Sequence, residues 1–179
     1  MNYIFLADGY ETVEALAVVD MMKRAALPLT MVSMNDSLTV TTSHRVEMKA
    51  DRLFKDCDLS DAEMLILPGG MPGTVNLEAN EKLMALVKSH GEAGKAVAAI
   101  CAAPRILGKL GLLKGKKATC YPGNERYLEG AEYTGEKVES DGNCITSRGM
   151  GTAVLFGAAI IEKLLGKEDA DEILAQIQY

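Results

Sequence analysis

Lys95-Ala96-Val97-Ala98-Ala99-Ile100-Cys101-Ala102-Ala103-Pro104-Arg105-Ile106-Leu107 is the stretch on which the fold turns. Its first half is small and apolar, as a strand buried on both faces requires. At Cys101 the pattern changes. Ala102 to Leu110 reads as a helix, with Ile106, Leu107 and Leu110 at helical spacing and Pro104 tolerated in the first turn. A cysteine at such a seam stands where a nucleophile elbow would put it, and the small flanks Ala99 and Ala103 permit the tight turn. The helix N-terminus behind the sulfur would favour a thiolate. The same residue could equally be a small buried hydrophobe, the usual fate of a free cysteine.

Toward the N-terminus, Tyr3 to Ala7 reads as a first buried strand closed by Asp8-Gly9. Glu11 to Ala26 reads as a helix, with Glu11 and Glu14 in its first turn, where acidic residues suit the dipole. Leu29 to Met34 is the next strand. Leu38 to Thr42 and Arg45 to Ala50 alternate as a small hairpin would. Asp51 to Asp61 is polar with one helical turn, and Met64 to Leu67 is a strand ended by Pro68-Gly69-Gly70.

Asn80 to Glu92 is an amphipathic helix with His90 in its last turn, placed there as a cation and not as a catalytic group. Lys117 to Tyr121 is a short strand. Asp141-Gly142 signals a second hairpin between Val138 and Thr146. A mostly apolar helix from Thr152 to Leu165 and a final helix from Lys167 complete the chain. Alternating strands and helices point to an α/β three-layer sandwich on a mostly parallel sheet with a small β-hairpin excursion. Ligands bind such sheets at the carboxyl ends of the strands, where Asp8-Gly9, Gly69-Gly70 and Cys101 all fall.

Composition narrows the function. The 179 residues suit one domain (1-179), and 48% hydrophobic with 25% charged residues is ordinary for a globular chain. A net charge of -6 argues against nucleic acid as partner. No apolar run approaches the ~20 residues a bilayer demands, and the N-terminus lacks a signal-peptide pattern, so a cytoplasmic protein away from membranes is expected. Cys57, Cys101, Cys120 and Cys144 are too dispersed for a metal site.

Four segments resemble the ThiJ/PfpI superfamily in order and spacing. They are Gly9-Tyr10-Glu11-Thr12-Val13-Glu14, Leu67-Pro68-Gly69-Gly70-Met71-Pro72-Gly73, Ala98 to Pro104, and Thr146-Ser147-Arg148-Gly149-Met150-Gly151-Thr152. Val18 to Ala25 resembles the branch that contains the Parkinson's-linked deglycase-like protein. The resemblance implies a flavodoxin-like α/β/α fold of the class I glutamine amidotransferase-like type, no cofactor, and a homodimer through the Glu11-Ala26 helix. It implies a reactive Cys101 with the Glu14 carboxyl, not Glu11, beside its sulfur. Gly69, Gly70 and Ala102 would supply backbone for an oxyanion site. An ionised Glu14 would oppose a thiolate, whereas a protonated one would donate to it.

Departures from the family sharpen this expectation. Ala102 stands where protease-like members carry histidine, and Thr146-Ser147-Arg148 where amidotransferases need His-x-Glu; both activities are disfavoured. Tyr121 replaces a histidine common in the deglycase-like branch. Glu11, His44, Tyr121 and Arg148 are candidate substrate or anion contacts, His44 from a hairpin that reaches across the family's dimer interface. The expected function is a cysteine enzyme acting on a small-molecule aldehyde or glycated adduct. The alternatives are a redox-responsive stress-protection protein or chaperone, and a binding module without catalysis.

Overall fold

The computed structural model describes residues 1–179. Strand β1 (Asn2–Leu6) leads to helix α1 (Thr12–Arg24) and strand β2 (Leu29–Ser33). The hairpin β3 (Thr39–Thr41) and β4 (Glu47–Lys49) comes next, then a two-residue strand β5 (Arg52–Leu53) and a single helical turn at Phe54–Asp56. Strand β6 (Met64–Leu67) precedes α2 (Gly73–Glu78) and α3 (Glu81–Glu92); β7 (Ala96–Ile100) precedes α4 (Pro104–Lys109). The last part comprises β8 (Lys117–Ala118), β9 (Glu132–Tyr133), β10 (Val138–Asp141), β11 (Cys144–Ser147), α5 (Ala153–Leu165) and α6 (Lys167–Gln176).

Seven strands form one sheet in the order β10-β11-β7-β6-β1-β2-β5. All neighbours in it are parallel except the β10–β11 hairpin at the edge. Alternation along each strand divides the core between its two faces. Tyr3, Phe5, Leu65, Leu67, Val97 and Ala99 pack with Leu77 of α2, Leu83 and Val87 of α3 and Ile106 and Leu107 of α4. Ile4, Leu6, Ile66, Ala98 and Ile100 pack on the other face with Val18 and Met22 of α1 and Phe156 and Ile160 of α5. Helix α6 covers the outside of α5 and α1 through Ala170 and Ile173. The result is the three-layer α/β/α sandwich with the small antiparallel hairpin that the pattern predicts.

Several local details differ from the sequence reading. The helix expected from Ala102 begins only at Pro104, because Cys101 adopts φ 66° and the two alanines after it complete the turn. Helix α2 was not foreseen; its six residues are too few for a periodic signal. The polar stretch after Ala50 contributes the edge strand β5. The Lys117 strand stops at Ala118 and pairs with the unforeseen β9, both too short to alternate. His90 is not the cation expected in the last turn: it is buried, its Nε2 lies 3.2 Å from the Ala96 carbonyl oxygen, and burial lowers its pKa.

Ile66 lies fully buried in the sheet centre. Ile66→Ala should lower unfolding free energy in urea titration by about 2–5 kcal/mol. Leu165→Ala, at an exposed helix end, should stay within about 0.5 kcal/mol of the parent.

Candidate active site

The site lies at the carboxyl ends of β6 and β7. Cys101 leaves β7 in the left-handed region, a conformation that costs a non-glycine residue about 1–3 kcal/mol and is held only where the surroundings dictate it. Two backbone bonds do so: Cys101 N–H donates to Ser147 O at 2.9 Å, and Tyr121 N–H donates to Cys101 O at 2.8 Å. The elbow is thus clamped by the end of β11 on one side and the segment after β8 on the other. The next amide along the chain, Ala102 N–H, faces the sulfur together with Gly70 N–H, and both pull the thiol pKa down.

Glu14 reaches the same point from the first turn of α1. Glu11 caps that helix, its Oε2 accepting from Glu14 N–H at 2.7 Å, so Glu11 is engaged in holding the helix start. Glu14 is 1% exposed. Its Oε2 accepts from Gly69 N–H at 2.9 Å, while Oε1 is buried without a partner. The Gly69 amide is therefore committed to the carboxyl, and Gly70 and Ala102 are the amides left to the sulfur.

Two glycines make this approach possible. A Cβ on Gly69 would come within 2.6 Å of both Cys101 Cβ and Glu14 Oε2. Gly149, from the loop after β11, faces the pair as well: a Cβ there would lie 3.8 Å from Glu14 Oε1 and 3.9 Å from Cys101 Sγ. In the sequence Gly149 stands out only as part of a motif, with no role attached to it.

Burial raises the Glu14 carboxyl to about 7, while the adjacent thiol and the Gly69 amide act in the opposite direction. Burial, then the charge and hydrogen bonding of Glu14, raise Cys101 to about 12. The pair thus loses a first proton near neutrality and holds the second into strong alkali. Between the two, one proton remains for carboxyl and thiol together. Two backbone amides face the sulfur, and they favour the form with a protonated Glu14 and a thiolate.

A cleft of about 390 Å³ opens on Cys101 and is lined by Gly70, Ala102 and Tyr121 as well. Tyr121 stands 53% exposed at its rim. The other two candidates lie elsewhere. Arg148 donates to Gly135 O at 3.1 Å and lines a neighbouring cleft. His44 is exposed on the β3–β4 turn, beside Ser43, and does not line the Cys101 cleft. Arg105, Asn124, Arg126 and Tyr127 do line it, although nothing in the sequence pattern marked them. Of the remaining thiols, Cys120 and Cys144 are buried, and Cys57 lines a different cleft. No helix is long and apolar enough to cross a membrane.

Known proteins share this arrangement of chain. Protein DJ-1 homolog B of Arabidopsis thaliana is 39% identical over 164 residues, 91% of this chain and 37% of its own length. A Pyrococcus horikoshii protein named a deglycase is 34% identical over 152 residues, 83% of this chain and 90% of that protein. The chain spans less than half the length of the two Arabidopsis relatives it matches. Among solved structures, oxidized Toxoplasma gondii DJ-1 superposes with TM-score 0.94 at 33% identity, covering 99% of this chain and 97% of that one. The profile of the DJ-1/PfpI family matches residues 2–163. With fold, relatives and profile in agreement over nearly its full length, the chain belongs to the DJ-1/PfpI family.

Proposed function

We propose that the protein is a cysteine-dependent, cofactor-independent enzyme acting on small reactive aldehydes, of the glyoxalase III or deglycase type. One observation carries the reading: a carboxyl raised to about 7 lies buried beside the one thiol that opens on the site cleft. A proton-transfer group works best when its pKa lies near the working pH, and Glu14 meets that condition. The deglycase name of the archaeal relative adds support at the level of the family.

With methylglyoxal, the Cys101 thiolate adds to the aldehyde carbon, and the carbonyl electron pair becomes an alkoxide that takes the Glu14 proton. The amides of Gly70 and Ala102 stabilise that oxygen as charge develops. Glu14, now a carboxylate, removes the hydrogen from the same carbon as a proton, giving an enediolate, and the hydroxyl proton on that carbon passes to the neighbouring oxygen. Returning the proton to the neighbouring carbon leaves a thioester, and water breaks the sulfur–carbon bond to give lactate. One carbon is oxidised and its neighbour reduced, so no outside oxidant is needed. With tyrosine at position 121, Glu14 is the carboxyl beside the thiol to which the proton at the reacting carbon is assigned.

A second reading has its own observation. Cys120 and Cys144 are buried and Cys57 donates to Leu53 O at 3.3 Å, whereas Cys101 sits in a cleft beside a carboxyl that can hold a sulfinate. The two readings use the same thiolate and can coexist.

Glutathione-free conversion of methylglyoxal to lactate should fall to background in Cys101→Ala and Glu14→Ala; turnover equal to the parent in either variant would sink the enzyme reading. In the parent, the rate of Cys101 alkylation by iodoacetamide should rise through pH about 7, as the pair loses its first proton. Glu14→Gln removes that step and moves the rise to the ordinary thiol range near about 8.5 or above. For the redox reading, mild peroxide should add two oxygen atoms to Cys101 ahead of the other thiols, as site-mapped intact mass would show; equal oxidation of all four would count against it.

A further inference from the structure

The wall of the Cys101 cleft carries a group of cations that the mechanism above does not use. Arg105 and Arg126 both line the cleft, and both lie over the ring of Tyr127, with guanidinium carbons 4.4 and 4.8 Å from its centroid. Lys109 stands 5.1 Å from the same centroid. One carboxylate answers the three charges: Glu78 binds Arg105 Nη2 at 2.8 Å through Oε2 and Lys109 through Oε1. Arg126 has no carboxylate partner. Its one hydrogen bond is donated by Nη2 to Tyr127 Oη at 2.9 Å. Glu125, its neighbour, is turned to Gly123 N–H at 2.8 and 2.9 Å. The Arg105 Nε is buried without an acceptor.

Like charges held around one aromatic face repel each other and keep their attraction for an anion that enters between them. Guanidinium groups are suited to this, since each presents parallel donors to a carboxylate or a phosphate. Arg105 is fixed by Glu78 and Tyr127, so it is preorganised, while the exposed Arg126 is free to close on a ligand. We propose that the cleft selects substrates bearing an anionic group, a carboxylate or a phosphate, held by Arg126 and Arg105 against Tyr127 while their aldehyde faces Cys101. The proposal rests on Cys101 as the reactive centre and assigns anion recognition to these residues instead of His44 and Arg148.

Equilibrium binding tests it without turnover. Inorganic phosphate and D-lactate are each titrated into the parent and into Cys101→Ala by calorimetry, with chloride holding ionic strength constant. Saturable binding of either anion is expected in both proteins; tighter phosphate binding would point to a phosphorylated substrate, tighter lactate binding to a carboxylate. Arg126→Gln, on an exposed side chain, should weaken binding roughly tenfold, the loss of one charge-assisted contact, with partial recovery in Arg126→Lys. If neither anion binds saturably, or if Arg126→Gln binds as tightly as the parent, the proposal is overturned. Because Cys101→Ala cannot perform the chemistry, binding in that variant separates this inference from the fate of the enzyme reading.

Discussion

A carboxyl with one oxygen committed to the Gly69 amide and the other unpartnered is an expensive group to bury, and Glu14 is buried almost completely. It is tolerated because it holds a proton to near neutrality, where the Cys101 thiol lies beside it. Much of the local architecture serves to bring these two side chains together. Glu11 secures the start of α1 so that Glu14 projects from its first turn. Gly69 has no side chain because one would occupy the space between them. The strained turn at Cys101 is held by backbone bonds from β11 and from Tyr121, which come from distant parts of the chain.

The parallel sheet explains why such distant segments meet. Strands β1, β6 and β7 run side by side in register, so their connecting loops all emerge at the same edge. Those loops deliver Glu14, the Gly69-Gly70 pair and Cys101 to one point. The helices packed on both faces bury the strands fully and leave these loop ends as the place where polar chemistry can reach solvent. Chemistry and stability are thus divided: the central strands carry the core, and their carboxyl ends carry the site.

The two sides of the cleft have different characters. Around the sulfur stand backbone amides and one buried carboxyl. Along the wall formed by α4 and the segment after β8, arginines gather on Tyr127 with Glu78 as their counter-ion. On the proposed reading, that positive surface would hold one end of a ligand while the thiol acts on the other, which is how binding energy orients a reacting carbon.

What could be read from the chain alone was what local pattern encodes. The buried runs, the change of period at Cys101, the glycines after Leu67 and the acids opening the first helix are each a few residues long, and resemblance joined Cys101 to Glu14. The hairpins were legible from alternation and from Asp141-Gly142. Elements too short to show a period, α2, β5 and β9, were not. Nor were Arg105, Arg126 and Tyr127, because 21 residues separate the two arginines and the Glu125–Tyr127 turn has no period to relate them. Only the folded chain stacks them on one ring and fixes which amide serves the carboxyl and which serve the sulfur. Long-range packing decides such contacts, and no spacing along the chain encodes them.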